Sequence, residues 1–447
     1  MGNWWIKRGF DPKLIWPSGP TFRSLSFLEP KPHGPALARL AQTRPRLAKI
    51  FAQDWLTPLS KYGAELYHVQ PQTLPPDFLE LFEGELIEAG WGTPLAKAAA
   101  SQLARLPVIQ TSHHLTPTHG PTFSTIDLIS LAGLPENQLY LIGAASGVSF
   151  SNTAWSGALS YGDLELETLL QPGPWKTQAQ QAAVERAAHG EMEQRLSLIG
   201  ARWRDQLVYG SPLPEDLNLR LAQLQPAVKE LMAPPRLGER YSHWAARNAA
   251  RLQEKLFNGA KLVIFDLNRL AGLFLAKRIE DKDPFFLELL QGEWQDPDFN
   301  FLVGYPGKKS NKLLLARWNG LGLYSERQGL EPLSPEALAQ AIKDGRVCPG
   351  TWISFLILRF YLGLECLGSF NQIDYLDTWR QRLQSSPLKA ELHLGPSPGL
   401  TTGRWHSPQG LIWPLDWALR SQTLEPKALS TLTMGELWQA TLTQLAP

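Results

Sequence analysis

Two short apolar runs constrain the fold of this chain more than any other feature of its sequence. The runs Pro107–Thr111 (PVIQT) and Gln138–Ala144 (QLYLIGA) predict buried strands. Between them the sequence predicts a turn and then a helix from about Phe123 to Ala132. A strand, a helix and a second strand in this order form a βαβ unit, whose crossover length suits parallel pairing. We therefore expect an α/β protein that contains a parallel sheet.

The remaining pattern divides the chain into three predicted parts. Residues 1–60 predict an extended wrap, rich in Pro, Gly and Trp, followed by an amphipathic helix over Pro35–Gln53. Residues 61–380 predict an α/β core with a helical insertion at about 175–258, in which Thr177–Tyr209 forms a long helix. In that core Tyr62–Val69 and Lys261–Leu267 predict further strands. Residues 381–447 predict a short, turn-rich C-terminal extension.

The charge balance favours a small-molecule partner. The chain has 43 basic and 42 acidic residues and a formal charge of +1, so it lacks the basic surplus that draws a protein to nucleic acid. We expect a small-molecule substrate, and the composition leaves room for a protein partner or a homo-oligomer.

The apolar stretches and the two cysteines favour a cytoplasmic protein. The longest apolar stretch, Trp352–Phe370, contains Arg359 and Glu365, and burying both charges in a membrane is costly, so we expect a core helix there. The N-terminus has no signal-peptide pattern. Cys348 and Cys366 are too few for a disulfide framework and predict two buried thiols in a reducing compartment.

The end of the first predicted strand carries the most unusual segment of the chain. Three of the nine histidines, His113, His114 and His119, fall within seven residues. Ligands of open α/β sheets bind beyond the carboxyl ends of the strands, where histidines serve as acid, base or metal ligand. The competing interpretation is that these side chains only cap the loop through hydrogen bonds. In the same segment we expect a helix N-terminus to hold a carboxylate or phosphate, with substrate contacts from Ser112, Gly120, Thr122, Ser124 and Thr125.

A second candidate loop follows the next predicted strand. Gly143–Asn152 combines small residues, which let a ligand approach the backbone, with hydroxyl groups that orient it. Its substrate-binding candidates are Ser146 and Asn152, and a plain loop is the competing interpretation. If the two strands are parallel, both loops emerge at the same edge of the sheet.

A weaker candidate lies further along the chain. Arg240, His243 and Arg247 follow one another at three- and four-residue spacing, which places them on one face of a helix. Such a face forms either an anion pocket or a solvated surface.

The segment Thr111–Ala132 resembles the bacillithiol-synthesis cysteine-adding enzymes. It reads T-S-H-H-x5-G-P-x-F-S-T-I-x-x-I-S-L-A, and the family carries T-G-Q-Q, then G-P, then an aromatic-Thr-Ile helix start at matching spacing. The resemblance implies a Rossmann-like parallel-sheet core over residues 61–380, able to hold a nucleotide and small acids. The paired glutamines of the family correspond to His113 and His114. Its acidic-histidine run corresponds to Ala144–Gly147, which has no ionisable side chain.

The resemblance and the histidine cluster together give three functional hypotheses. The first is a divergent cysteine-ligase-like biosynthetic enzyme that acts on a small amine- or thiol-bearing metabolite, with His113, His114 or His119 as acid or base. The alternative is a non-catalytic subunit or ligand-binding relative that works with a partner protein. A metal enzyme that uses the three histidines ranks last, because no acidic residue lies in the same loop. The sequence leaves the cofactor open.

Overall fold

The fold is α/β and is built around a parallel sheet. The structure, a computed structural model, describes residues 34–70, 72–112, 115–118, 121–146, 159–161, 194–196, 225–258, 260–291, 300–305, 312–326, 329–396, 399–403, 406–407 and 410–445. The strands are β1 Val108–Ser112, β2 Tyr140–Ala144, β3 Leu159–Tyr161, β4 Gln194–Leu196, β5 Leu262–Asp266, β6 Asn300–Tyr305, β7 Lys312–Trp318, β8 Gly322–Ser325, β9 Gly329–Pro332, β10 Val347–Pro349, β11 Glu365–Leu367, β12 His406–Ser407 and β13 Gly410–Leu411.

Helices surround the strands. In chain order they are α1 Gly34–Thr43, α2 Pro45–Asp54, α3 Leu59–Glu65, α4 Pro76–Glu88, α5 Thr93–Arg105, α6 Pro121–Gly133, α7 Pro226–Leu231, α8 Tyr241–Leu256, α9 Leu267–Glu280, α10 Pro284–Gln291, α11 Pro335–Lys343, α12 Thr351–Phe355, α13 Phe370–Gln384, α14 Pro414–Leu419 and α15 Met434–Leu445. A π-helical turn, Leu356–Tyr361, continues α12, and a 3-10 turn, Pro387–Glu391, follows α13.

The parallel sheet has four strands in the order β11-β1-β2-β5. All three pairings are parallel, with Val108 opposite Glu365, Gln110 opposite Ile142 and Tyr140 opposite Leu262. The chain therefore builds outward from β1 through β2 to β5. It then crosses back, so that β11 pairs with the other side of β1.

Both faces of this sheet are buried, which explains why its strands read as continuous apolar runs. Leu141, Val263 and Phe265 pack into one hydrophobic cluster with side chains of α4, α5 and α9. Ile142 and Ile264, one residue out of phase, pack into a second cluster with side chains of α8.

A second, antiparallel sheet has the strand order β10-β6-β7-β8-β9. One face of this sheet packs against the hydrophobic cluster that also contains side chains of α9 and α11. The packing residues of this face are Phe301, Ala316 and Leu323. On the same sheet, Leu315 and Tyr324 are exposed.

One residue both ends β5 and begins α9. Asp266 is the N-cap of α9, and its carboxylate accepts a hydrogen bond from the backbone N–H of Arg269 at 3.0 Å. Strand and helix therefore join without a loop, and this places Leu267 and Asn268 at the carboxyl edge of the sheet.

Two glycines allow α3 and α6 to touch backbone to backbone. A Cβ on Gly133 would lie 1.8 Å from the carbonyl carbon of Gly63, and a Cβ on Gly63 would lie 2.8 Å from the nitrogen of Gly133. Any side chain at Gly133 would therefore force α3 and α6 apart.

The central expectations from the sequence are confirmed. The fold is α/β with a parallel sheet, and the segment over 108–144 is a βαβ unit whose strands are parallel. The strand predicted at Lys261–Leu267 is β5. The apolar stretch Trp352–Phe370 is a buried helix only as far as Tyr361, and Glu365–Leu367 within it form β11. Cys348 and Cys366 are buried thiols. In the part of the chain that the structure describes, no helix has the length and apolarity to span a membrane.

Three predictions about local structure are wrong. Tyr62–Val69 is not a strand, because Leu59, Tyr62 and Leu66 are buried at helical spacing and α3 occupies this region. The helix predicted over Pro35–Gln53 is two helices, since Pro45 starts α2.

The third wrong prediction is the long helix over Thr177–Tyr209. Residues 194–196 within it form β4, which pairs antiparallel with β3. The rest of that segment, and residues 1–33 of the predicted N-terminal wrap, lie outside the described residues.

Candidate functional site

A small cavity of about 10 Å³ lies at the carboxyl edge of the parallel sheet. Ala145, Leu267 and Phe355 form the apolar part of its lining. The polar part comes from the end of β1, the first turn of α9 and the helices α12 and α13, with the side chains of Thr111, Ser112, Asn268, Thr351, Gln372 and Tyr375. Residues far apart in sequence therefore meet at one place.

The cavity lies where the strand order changes direction. After β1 the chain continues to β2 on one side, whereas β11 lies on the other side of β1. At such a position the connections of an open α/β sheet diverge, and ligands bind in the crevice that this opens.

Thr111 and Gln372 fasten β1 to the start of α13. The Thr111 hydroxyl lies 2.5 Å from Gln372 Oε1 and 2.7 Å from the carbonyl oxygen of Leu367, both of which accept hydrogen bonds. Gln372 Nε2 donates to the carbonyl oxygen of Cys366 at 2.8 Å. The amide of Gln372 is therefore held on both its oxygen and its nitrogen.

Asn268 connects three segments around the cavity. Its Oδ1 accepts a hydrogen bond from the backbone N–H of Ser146 at 3.0 Å. Its Nδ2 donates to the Pro349 carbonyl oxygen at 3.1 Å and to Ser354 Oγ at 3.0 Å. This amide fixes the loop after β2 and the start of α12 against α9.

Ser146 also contacts the buried carboxylate of Asp266. The Ser146 hydroxyl donates to Asp266 Oδ1 at 2.6 Å. Burial raises the pKa of Asp266, the hydrogen bond from Ser146 acts against this rise, and the charge of Glu85 adds to it. Asp266 therefore holds a proton more readily than an exposed aspartate does.

The hydroxyl of Ser112, which lines the cavity, has no hydrogen-bond partner among the described residues. Its side chain is only 6% exposed. A buried hydroxyl without a partner costs free energy, and a ligand in the cavity would supply the missing hydrogen bond.

A buried polar network lies beneath the cavity. Gln110 Nε2 donates to the carbonyl oxygens of Thr111 and Leu367, and Ser130 Oγ donates to Gln110 Oε1 at 2.8 Å. Nearby, the Tyr140 hydroxyl donates to Asp127 Oδ1 at 2.8 Å. Burial raises the pKa of Asp127 to about 7, although the bond from Tyr140 acts against this rise.

The helical face with Arg240, His243 and Arg247 is a cluster of ion pairs rather than an anion pocket, with His243 buried and Arg240 partly exposed. His243 Nε2 lies 2.8 Å from Glu85 Oε1, and Arg269 Nε donates to the other oxygen of Glu85 at 2.7 Å. Arg240 contacts Glu88 and Arg247 contacts Glu239. Each predicted anion ligand thus has a carboxylate partner from the protein, and the cluster joins α4, α8 and α9.

Comparison of the chain with protein families, curated proteins and solved structures gives no match. The resemblance to the cysteine-adding enzymes remains a prediction that rests mainly on Thr111–Ala132.

The residues predicted to form the site differ in where the structure places them. Ser112 lines the cavity, and Ser146 lies next to it in the loop after β2. Thr125 is buried in α6 and does not line the cavity. Thr122 and Ser124 belong to α6, but their side chains are outside the described set. The remaining candidates lie outside the described residues, and these are His113, His114, His119, Gly120 and Asn152.

The two cysteines are poor nucleophile candidates. Burial raises the pKa of both thiols well above the usual range, so Cys348 and Cys366 are neutral at physiological pH. Within the described ranges, no group of three His, Cys, Asp or Glu side chains is placed to hold a metal ion.

The lining residues outside β1 and the loop after β2 were not predicted from the sequence, and two of them show why. Asn268 follows the predicted strand that ends at Asp266, so the strand-end argument already applied to β1 and β2 would have found it. Gln372 had no such signal, because β11 has only three residues and its pairing with β1 depends on contacts distant in sequence.

Proposed function

We propose that this chain is a cytoplasmic enzyme with a Rossmann-like core that binds a small molecule in the cavity between β1 and β11. The proposal rests on one observation. The ends of β1, β2 and β5 meet α12 and α13 around one cavity, and the Ser112 hydroxyl in its lining has no hydrogen-bond partner among the described residues. The strand order also supports a Rossmann-like core. The chain forms β1, β2 and β5 side by side and then returns to the other side of β1, which is the strand order of a Rossmann half-sheet.

The size of the cavity favours one small end of a metabolite rather than a whole molecule. Its volume of about 10 Å³ gives room for about one water-sized group, such as a hydroxyl, thiol or methyl group. Hydroxyl and amide groups alternate with apolar side chains around it, as in pockets that fix orientation with few polar contacts.

The reaction we propose is of the cysteine-ligase type, on an amine- or thiol-bearing metabolite. His113 and His114 follow Ser112 directly in sequence, and His119 follows five residues later. An imidazole titrates near neutral pH, so a histidine beside the cavity suits a general acid or base. The resemblance of Thr111–Ala132 to the cysteine-adding enzymes supports the same reaction class.

One observation favours the alternative, a ligand-binding subunit without catalysis. The described residues that line the cavity include no carboxylate, imidazole, amine or guanidinium group. If the histidines do not act on the ligand, the cavity binds but does not convert it, and the chain works with a partner protein.

Binding is tested first, with a thermal-shift screen of amino acids, small thiols, amines and nucleotides. A ligand that binds the folded state raises Tm with the logarithm of its concentration over Kd. We expect Ser112→Ala to weaken a hit by about 10-fold, the effect of one lost hydrogen bond. Ser242→Ala is the matched control, because Ser242 is also buried without a hydroxyl partner among the described residues but does not line the cavity. Equal affinity in the two variants contradicts the proposed site.

Catalysis is tested with His114→Ala. We expect turnover of a confirmed substrate to fall by about 100-fold or more, as for loss of a general acid or base. His68→Ala, at an exposed position, serves as the control. Unchanged turnover in His114→Ala with an intact fold removes the catalytic role of this histidine. Binding without turnover in the wild type, together with a co-purified partner, favours the subunit.

A further inference from the structure

The polar side chains around the cavity are mostly committed to the protein itself. The Asn268 amide bonds to Ser146, Pro349 and Ser354, and the Gln372 amide bonds to Thr111 and Cys366. These groups shape the wall but have little hydrogen-bonding capacity left for a ligand. Ser112 is not committed in this way, and its neutral hydroxyl can both donate and accept.

The described lining supplies no opposite charge for an ionised group. Its one titratable side chain, Tyr375, stays neutral because burial raises the pKa of the phenol well above its ordinary value. The carboxyl group of Asp266, which precedes the lining residue Leu267, already accepts hydrogen bonds from Ser146 and from the backbone of Arg269. A carboxylate or ammonium group in the cavity would therefore lose its hydration and gain only neutral partners from the described lining, which is unfavourable.

Apolar atoms complete the wall. Leu267 and Phe355 are almost fully buried, and Ala145 lies beside them. These side chains favour a group that is apolar or polarisable, such as sulfur or a methyl group.

We infer that the cavity accepts an uncharged end of the ligand, a thiol, thioether, methyl or hydroxyl group, and excludes its carboxylate and ammonium groups. This inference rests on the proposed function, since it assumes that the cavity binds the ligand. Of the amine- or thiol-bearing metabolites proposed above, it assigns the sulfur end to the cavity.

Charge selectivity of a cysteine placed in the cavity tests the inference. Ser112→Cys is treated with propyl, 2-aminoethyl and 2-carboxyethyl methanethiosulfonate, and intact-protein mass spectrometry gives each rate. The propyl and aminoethyl groups have nearly the same shape but differ in charge. Ser101→Cys, exposed on α5, is the reference thiol, and the wild type controls for the two buried cysteines.

The deciding quantity is the rate of modification by the neutral propyl reagent divided by the rate for each charged reagent. This ratio cancels the intrinsic reactivity of the thiol. We expect both ratios at Ser112→Cys to exceed those at Ser101→Cys by about 10-fold or more, as for about 1.4 kcal/mol of discrimination. If either ratio is smaller than this, the inference is overturned while the cavity remains a binding site. If no reagent modifies Ser112→Cys, the cavity admits no small molecule and the proposed function fails too. Thr351→Cys, half-buried in the same lining, replaces Ser112→Cys if the latter does not fold.

Discussion

At the scale of single residues, Asp127 has a carboxyl group whose protonation affects stability. Its pKa is about 7 in the folded protein and 3.8 as the reference value. Between these values the folded state keeps a proton that the unfolded state releases. Stability should therefore fall as pH rises from about 4 to about 7 and then change no further from this group.

Asp127→Asn should remove this dependence. The amide oxygen can still accept the hydrogen bond from Tyr140, and the variant carries no charge to bury. We expect the free energy of unfolding of the variant, relative to wild type, to rise by ~2 kcal/mol or more between pH 5 and pH 8. Urea unfolding at the two pH values measures it. A difference that does not grow with pH would show that Asp127 is already ionised in the fold.

The role of a single residue could be predicted from the sequence only where it depends on neighbouring residues in the chain. Ser112 was predicted because it ends an apolar strand, and the end of a parallel strand is a recognisable position. The lack of a hydrogen-bond partner for its hydroxyl was not predictable, because it depends on which groups of α9 and α13 come close to Ser112. The pairing of His243 with Glu85 was equally hidden, because 158 residues separate them.

At the scale of elements, the contact of α3 with α6 depends on two glycines. Gly133→Ala would place its Cβ within 1.8 Å of the Gly63 backbone, so the helices must separate or distort. We expect a loss of ~3 kcal/mol or more in stability, as for overpacking against a backbone that cannot move aside. Gly84→Ala, exposed in α4 with no atom within 4 Å of its Cβ, is the control and should gain ~0.5–1 kcal/mol. Equal effects of the two substitutions would contradict this packing.

The ion cluster between α4, α8 and α9 gives a second prediction for elements. Glu85→Gln leaves Arg269 and His243 without their shared carboxylate in a buried position. We expect a loss of ~3 kcal/mol, because the buried Arg269 would then keep only Glu88, which is half-exposed, as a carboxylate partner. Glu136→Gln removes an exposed pair with Lys427 and should leave stability unchanged. Denaturant unfolding of both variants compares them, and a neutral Glu85→Gln would mean that the cluster is not a stabilising contact.

Elements were predictable where the period of the apolar pattern was clear. The runs of β1, β2 and β5 are apolar throughout because both sheet faces are buried, and this made them recognisable. In α3, a helix of only seven residues gave too few repeats to distinguish helical from alternating spacing.

At the scale of the whole molecule, the fold follows from how the chain returns to β1. The βαβ unit indicated parallel strands, yet nothing in the sequence indicated that β11 would pair with β1 across more than 250 residues. That late pairing creates the crevice in which the cavity lies, so the site is a product of topology as much as of its residues.

Methyl NMR tests most directly whether the cavity between β1 and β11 is the ligand site. When the best hit of the ligand screen is titrated into the protein, we expect the methyl signals of Ala145 and Leu267, which line the cavity, to shift. Ala316 and Leu323, in the antiparallel sheet, should stay unchanged. Shifts confined to residues away from the cavity, with the signals of Ala145 and Leu267 unchanged at saturation, would contradict a ligand site in this cavity.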